Sequence, residues 1–210
     1  MRKPKNIFNL MKNDVISITG AGGKSSLMYV LGMEFENSLL TTSTKILKPT
    51  TDNVLINEIP QTIGTFVLGK RIENGKIIGY EEEELSKFIP QFDLTFIEAD
   101  GSKEMNLKGW KESEPVVYAY SNKTIGVLDI SVLDKRTEKT VFRLKEYEKI
   151  TRAGTYINLQ NLKDVVLYEN GLFKDSKFKI LYINKVENQD LRALAFTLVK
   201  MIKSDPRFNI

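Results

Sequence analysis

Two short stretches of this chain carry residue types that could do chemistry together. The first is Thr19-Gly20-Ala21-Gly22-Gly23-Lys24-Ser25-Ser26. Glycines without a Cβ let backbone N–H groups close around phosphate oxygens, and a helix that follows adds positive potential. In that arrangement Gly20, Ala21, Gly22, Gly23 and Ser26 form the cradle. Lys24 reaches the β/γ-phosphates and the Ser25 hydroxyl binds Mg²⁺. The second stretch is Glu98-Ala99-Asp100-Gly101, which follows the apolar run Leu94-Thr95-Phe96-Ile97. An acid at the end of a buried strand holds the water shell of a metal ion or polarises an attacking water. Glu98 and Asp100 are therefore candidate metal-holding and catalytic residues beside Lys24, and Gly101 offers its N–H to a γ-phosphate. The plain alternatives are a glycine turn that packs helix on strand, and an Asp-Gly turn.

The loop is not of standard length. The usual spacing, G-x-x-x-x-G-K-[ST], needs glycine at position 18, where Ile18 stands. The shorter form here resembles the loop of the Mur ligases, T-G-T-N-G-K-T. Two further constellations extend the site. Thr41-Thr42-Ser43-Thr44-Lys45 sets four hydroxyls beside a lysine, which makes Thr42 and Lys45 candidate phosphate contacts; β-propensity and a cap explain the same residues. Asn184-Lys185-Val186-Glu187 follows the apolar run Ile180 to Ile183. In an Asn-Lys-x-Asp element the Asn and the carboxylate bind a purine edge and the Lys stem covers the ring. Glu187 is one methylene longer than that aspartate, so the choice between ATP and GTP stays open.

Composition narrows the chemistry to such a site. The 210 residues contain no histidine and no cysteine. That excludes a disulfide, a thiolate nucleophile, a Ser-His-Asp triad and a Cys/His zinc or iron–sulfur site. What is left is Lys, Arg, Asp, Glu, Ser, Thr, Tyr, backbone groups and a hard metal ion. The net charge of +4 permits phosphate binding, and with no aromatic–basic repeat it does not argue for nucleic acid. No apolar run approaches ~18 residues, so no membrane span is expected. The basic start, Met1-Arg2-Lys3-Pro4-Lys5, has no apolar stretch after it. No signal peptide is expected, and a cytoplasmic location is.

The elements that must position these residues can be read from periodicity. Strands are expected over Asp14–Thr19, Leu39–Thr42, Asn53–Ile56, Thr65–Gly69, Leu94–Ile97, Thr124–Leu128 and Phe178–Ile183. Helices are expected over Ser25–Phe35, Glu81–Phe88, Val141–Ile150, Leu159–Leu167 and Asp190–Lys203. Glu73-Asn74-Gly75-Lys76 reads as a hairpin turn. Alternating strands and helices predict one α/β domain over 1–210, P-loop NTPase-like, with a mainly parallel sheet flanked by helices and a small antiparallel hairpin added near residues 65–79.

Taken in order, these stretches resemble the YqeC family, the accessory proteins of selenium-dependent hydroxylases. The resemblance runs from about residue 14 to 200 and is carried by Thr19–Ser25, Thr41–Ile46, Phe96–Lys103, Leu107–Val116 and Ile183–Val186. It implies a phosphate-loop nucleotide-binding protein tied to maturation of molybdenum hydroxylases that carry labile selenium. The implied partners are a nucleoside triphosphate and a molybdenum hydroxylase or another maturation protein. Phe142-Arg143 stands where the family often has His-Arg, so a histidine role there is excluded, while Arg143 keeps a phosphate contact open. Glu112, Glu114 and Pro115 fall in a matching loop flanked by Lys103 and Lys108. These lysines would meet an anionic substrate or, more plainly, sit solvated on the surface. Three readings follow: a Mg²⁺-dependent NTPase or NTP-driven activating enzyme, a nucleotide-sensing adaptor without substantial turnover, and a Mur-like ligase.

Overall fold

The computed structural model describes residues 4–50 and 53–208; the basic Met1-Arg2-Lys3 start lies outside them. The chain runs through α1 (Pro4–Ile7), β1 (Val15–Gly20), α2 (Lys24–Gly32), β2 (Ser38–Thr42), β3 (Lys45–Leu47), β4 (Val54–Ile56) and β5 (Thr65–Gly69). It continues with β6 (Arg71–Glu73), β7 (Lys76–Ile78), α3 (Glu82–Leu85), β8 (Leu94–Glu98), β9 (Leu107–Lys108) and β10 (Lys123–Asp129). Then come α4 (Thr137–Thr140), β11 (Val141–Phe142), α5 (Leu144–Ile150), α6 (Leu159–Leu167), β12 (Lys179–Asn184) and α7 (Gln189–Lys203).

Seven strands form one sheet in the order β12-β10-β1-β8-β2-β5-β4. Every neighbouring pair is parallel. The central strands β1, β8, β2 and β10 are buried along their whole length. Helices and loops cover both faces of a parallel sheet, so these strands carry apolar residues such as Ile16, Leu39, Leu40, Phe96 and Ile97 together with small hydroxyls partnered inside, Ser17 with Ser121 and Thr41 with Leu68 O. On one face α2 lays Leu27, Met28 and Leu31 against Ile16, Ile18 and Phe96. Toward β10 and β12, α5, α6 and α7 bury Tyr147, Leu162, Val165 and Leu198 around Leu128 and Ile130.

The chain leaves β1 toward β2, and later crosses back past β1 to β10. The carboxyl ends of β1, β8 and β10 therefore border a topological switch point, where open α/β sheets bind ligands. The expected hairpin is present. β7 pairs antiparallel with β6 and with β3, and Asn74 and Gly75 both take positive φ as a tight two-residue turn requires. β5 itself belongs to the parallel sheet.

Two helices differ from expectation. Val141–Ile150 is not one helix: Val141 and Phe142 pair with Leu107 and Lys108 as a two-stranded parallel ribbon, and Arg143 turns with φ +59 before α5 starts. The pairing partner lies over thirty residues away, so helical spacing alone could not reveal it. The helix expected over Glu81–Phe88 is a single turn, α3; Pro90 follows in a 3₁₀ turn, Ile89–Gln91.

Candidate functional site

The glycine loop joins β1 to α2. Gly20 has φ +91, and a Cβ there would lie 2.2 Å from the Val127 carbonyl oxygen. Gly23 has φ +123, and a Cβ would lie 2.3 Å from Asn184 Nδ2. Both positions combine a backbone conformation that side chains resist with no room for one. Lys24, the first residue of α2, folds back over the loop. Its Nζ donates to Gly20 O at 2.7 Å and lies 3.7 Å from Glu98 Oε1 and 3.5 Å from Asp100 Oδ1.

The two acids have different surroundings. Glu98 ends β8, in register with Ile18 of β1, and accepts from the Ser25 hydroxyl at 2.7 Å. Burial pushes its carboxyl up from the ordinary glutamate range, partly offset by the Lys24 charge and the Ser25 hydrogen bond. Asp100 is fully buried. Its Oδ2 accepts from Gly20 N at 3.2 Å and Trp110 Nε1 at 2.8 Å, and lies 3.2 Å from Lys108 Nζ. Its Oδ1 has no hydrogen-bond partner and faces the Lys24 charge. Asp100 is thus beneath the loop and does not line the open cleft, whereas Glu98 does.

Lys108 corrects an expectation. It is not a solvated surface lysine but 0 % exposed. Its Nζ donates to Gly101 O at 2.7 Å and pairs with Glu114 at 3.2 Å, and Glu114 pairs with Arg143 at 2.6 Å. A continuous polar chain therefore runs from the loop through Asp100, Lys108 and Glu114 to Arg143. Trp110 and the linking role of Glu114 escaped the sequence reading. The signal available was a lysine and the chain's single tryptophan, Lys108 and Trp110, a few residues after the Asp100-Gly101 turn.

The remaining candidates divide. Gly22, Gly23, Ser25, Ser26, Gly101, Lys45 and Lys185 line the cleft with Lys24. Ala21 is buried. Thr42 is buried too, its hydroxyl donating to Glu98 O at 2.8 Å; it fixes the end of β8, and Thr44 faces the cleft in its place. Lys45 pairs with Glu73 at 3.3 Å. Asn184 Nδ2 donates to Gly22 O at 2.8 Å, while its Oδ1 accepts from Lys185 N at 2.8 Å and Tyr182 OH at 3.2 Å. Its amide is committed to the loop. Lys185 Nζ pairs with Asp129 at 2.6 Å. Glu187 is exposed and off the cleft wall.

The cleft has a volume of about 870 Å³, toward the upper end of the ~300–1,000 Å³ of small-molecule sites. Six cationic and three acidic side chains line it; Lys24, Lys45, Arg143 and Lys185 are ion-paired, whereas Lys76 and Lys103 have no carboxylate partner among the described ion pairs. The family model for the YqeC protein matches residues 16–145 of this chain, a segment with the loop, both acids, Lys108, Glu114 and Arg143. The chain belongs to the YqeC family. An uncharacterized YqeC protein of Escherichia coli (strain K12) is 30% identical over 180 residues, which span 77% of this chain and 70% of that one. No solved structure matches the chain. The YqeC segment ends before Asn184 and Lys185, so the polar chain from the loop to Arg143 lies inside it and the β12 end of the cleft outside it. Among the described residues no helix is long and apolar enough to cross a membrane.

Proposed function

We propose that this YqeC protein binds a Mg²⁺–nucleoside triphosphate through the glycine loop and hydrolyses it or uses it to activate a substrate. One observation carries the reading. At the start of α2 Lys24 and Ser25 face the Glu98 carboxylate across the cleft, with Ser25 Oγ 2.7 Å from Glu98 Oε2. A hydroxyl and one carboxylate on an open cleft suit Mg²⁺, which takes one or two protein oxygens and fills its octahedron with water and phosphate. Among the described residues there is no group of three or more His, Cys, Asp or Glu that would cage a metal by itself. Ser25 and Glu98 are the residues that would hold it. Bound Mg²⁺ supplies charge neutralisation on the phosphate oxygens. Lys24 holds phosphate charge, the loop N–H groups orient it, and Asp100 fixes Lys24 and Gly20 from beneath.

A nucleotide-sensing adaptor with slow turnover is favoured by one specific fact: only Glu98 of the acid pair faces the cleft, so metal-holding and water-orienting duties fall on a single carboxylate. Calorimetric binding of ATP, GTP and CTP with and without Mg²⁺, alongside phosphate release, separates the readings. Binding that tightens with Mg²⁺ is expected; absence of binding by all three rejects the proposal. Tight binding without phosphate release selects the adaptor. The link to molybdenum hydroxylase maturation, and a cytoplasmic setting, rest on the family resemblance and composition.

Two variants refine the site. Asn184→Ala removes an amide that braces the loop, so ATP and GTP affinity are expected to fall by the same factor. A loss confined to GTP would restore a base-reading role. Glu98→Gln is expected to abolish the Mg²⁺ effect on binding. It also has a pH signature. Because the folded carboxyl titrates above its unfolded value of about 4.3, its stability contribution is complete below that value and lost as pH rises through the raised one. Glu98→Gln should therefore melt above wild type at pH 8, and the gap should close toward pH 4. A gap that does not vary with pH counts against the buried-carboxylate account.

A further inference from the structure

We infer that the cleft holds a second oxyanion site, centred on Arg143 and Lys103 and separate from the glycine loop, which takes a carboxylate or phosphate group of a second substrate. The inference rests on reading the loop as the triphosphate site, since that reading leaves Arg143 without a ligand. Three observations carry it.

Arg143 Nη2 is held by Glu114 at 2.6 Å, yet Nη1 is buried and has no partner. A buried, unmatched guanidinium N–H costs free energy unless an acceptor arrives, and an arginine fork matches the two oxygens of a carboxylate or phosphate. Three cations also surround one ring: Arg143, Lys103 and Lys108 approach Phe142 at 5.1, 5.4 and 5.8 Å from its centroid. Among the described residues the acids paired within this group, Glu114 and Asp100, are shared, Asp100 also facing Lys24. Lys103 has no carboxylate partner among the described ion pairs.

The third observation is backbone strain. Ten described non-glycine residues have positive φ, and six of them are Asn or Asp, which tolerate it. The other four are Lys103 (+49), Glu104 (+63), Arg143 (+59) and Lys185 (+58), and all four line this one cleft. Strained backbone conformations of such residues persist where surrounding structure enforces them, and they cluster at ligand clamps. Arg143 and Lys103 reach the cleft from different segments, the β11–α5 turn and the loop after β8, and neither belongs to the glycine loop. The Asp100–Lys108–Glu114 chain separates Arg143 from Lys24.

The test uses Lys24→Ala protein, in which the loop's own anion affinity is lowered. Inorganic phosphate and malonate are titrated by calorimetry and by the emission of Trp110, the single tryptophan, which contacts both Asp100 and Lys108. At least one anion is expected to bind with a millimolar Kd. Adding Arg143→Met should weaken it at least tenfold, and adding Lys103→Met several-fold; the tighter anion identifies phosphate or carboxylate as the group recognised. If the Arg143 variant does not fold, the exposed Lys103 position decides. Failure of both anions to bind Lys24→Ala protein, or binding indifferent to both further changes, overturns the second site. Triphosphate binding to wild type is measured in parallel. Loss of that result with anion binding intact would reject the nucleotide reading and leave the Arg143 site standing.

Discussion

Lys24→Ala is expected to lower triphosphate affinity by roughly thirty- to several-thousandfold, the equivalent of about 2–5 kcal/mol for truncating one side of a buried, hydrogen-bonded charge pair. Lys24 is 4 % exposed and already sits among Gly20 O, Glu98 and Asp100. A phosphate entering the loop would find its charge positioned and desolvated, with little side-chain entropy left to lose. The variant should still fold. Asp100 keeps Lys108, Trp110 and the Gly20 N–H, and Glu98, whose carboxyl is already pushed up by burial, can take a proton. The destabilisation should therefore stay below the ~3–5 kcal/mol of an uncompensated buried charge. Calorimetry reports the affinity and a thermal melt reports the fold. Unchanged affinity in a folded variant would remove the phosphate-loop assignment.

Asp100→Asn is expected to act mainly on stability. The substitution preserves shape and an acceptor for Trp110, but leaves the buried Lys24 and Lys108 charges with one fewer counter-ion. Breaking such a pair costs about 3–5 kcal/mol. In a chain of this size that lowers the melting temperature by roughly 6–20 °C. Trp110 emission should shift at the same time, because its Nε1–H loses a charged acceptor. An exposed catalytic acid would behave in the opposite way: Asp100→Asn would abolish phosphate release and leave the melt unchanged. The two outcomes assign Asp100 either to positioning or to chemistry.

The difference between Glu98 and Asp100 marks where sequence reading reached its end. Both lie after the same apolar strand, two residues apart, and alternate positions on a strand share a face. The strand ends at Glu98, however, and the turn that follows carries Asp100 under the loop to meet a backbone N–H eighty positions earlier in the chain. Lys108 looked like any surface lysine in its own neighbourhood; its burial follows from the β9–β11 ribbon and from two acids brought to it by separate segments. The left-handed turn at Arg143 was hidden for the same reason, inside a helical-looking run that a distant strand partner broke.

The sequence by itself determined the chemistry class and the scaffold. Without histidine or cysteine only hydroxyl, carboxylate, ammonium, guanidinium, backbone and hard-metal chemistry remained. The glycine loop between strand and helix, the apolar parallel strands and the Asn-Gly hairpin are local patterns, set by backbone freedom and by side-chain periodicity within a few residues. Only the tertiary structure decided which charges share one cleft, which acid faces it, and that the Asn184 amide at the end of β12 donates to the glycine loop. Those facts depend on strand order, which places β8 and β10 on either side of β1. Strand order arises from long-range packing of buried faces, and the free energy of burying a charge appears only once its neighbours are in place.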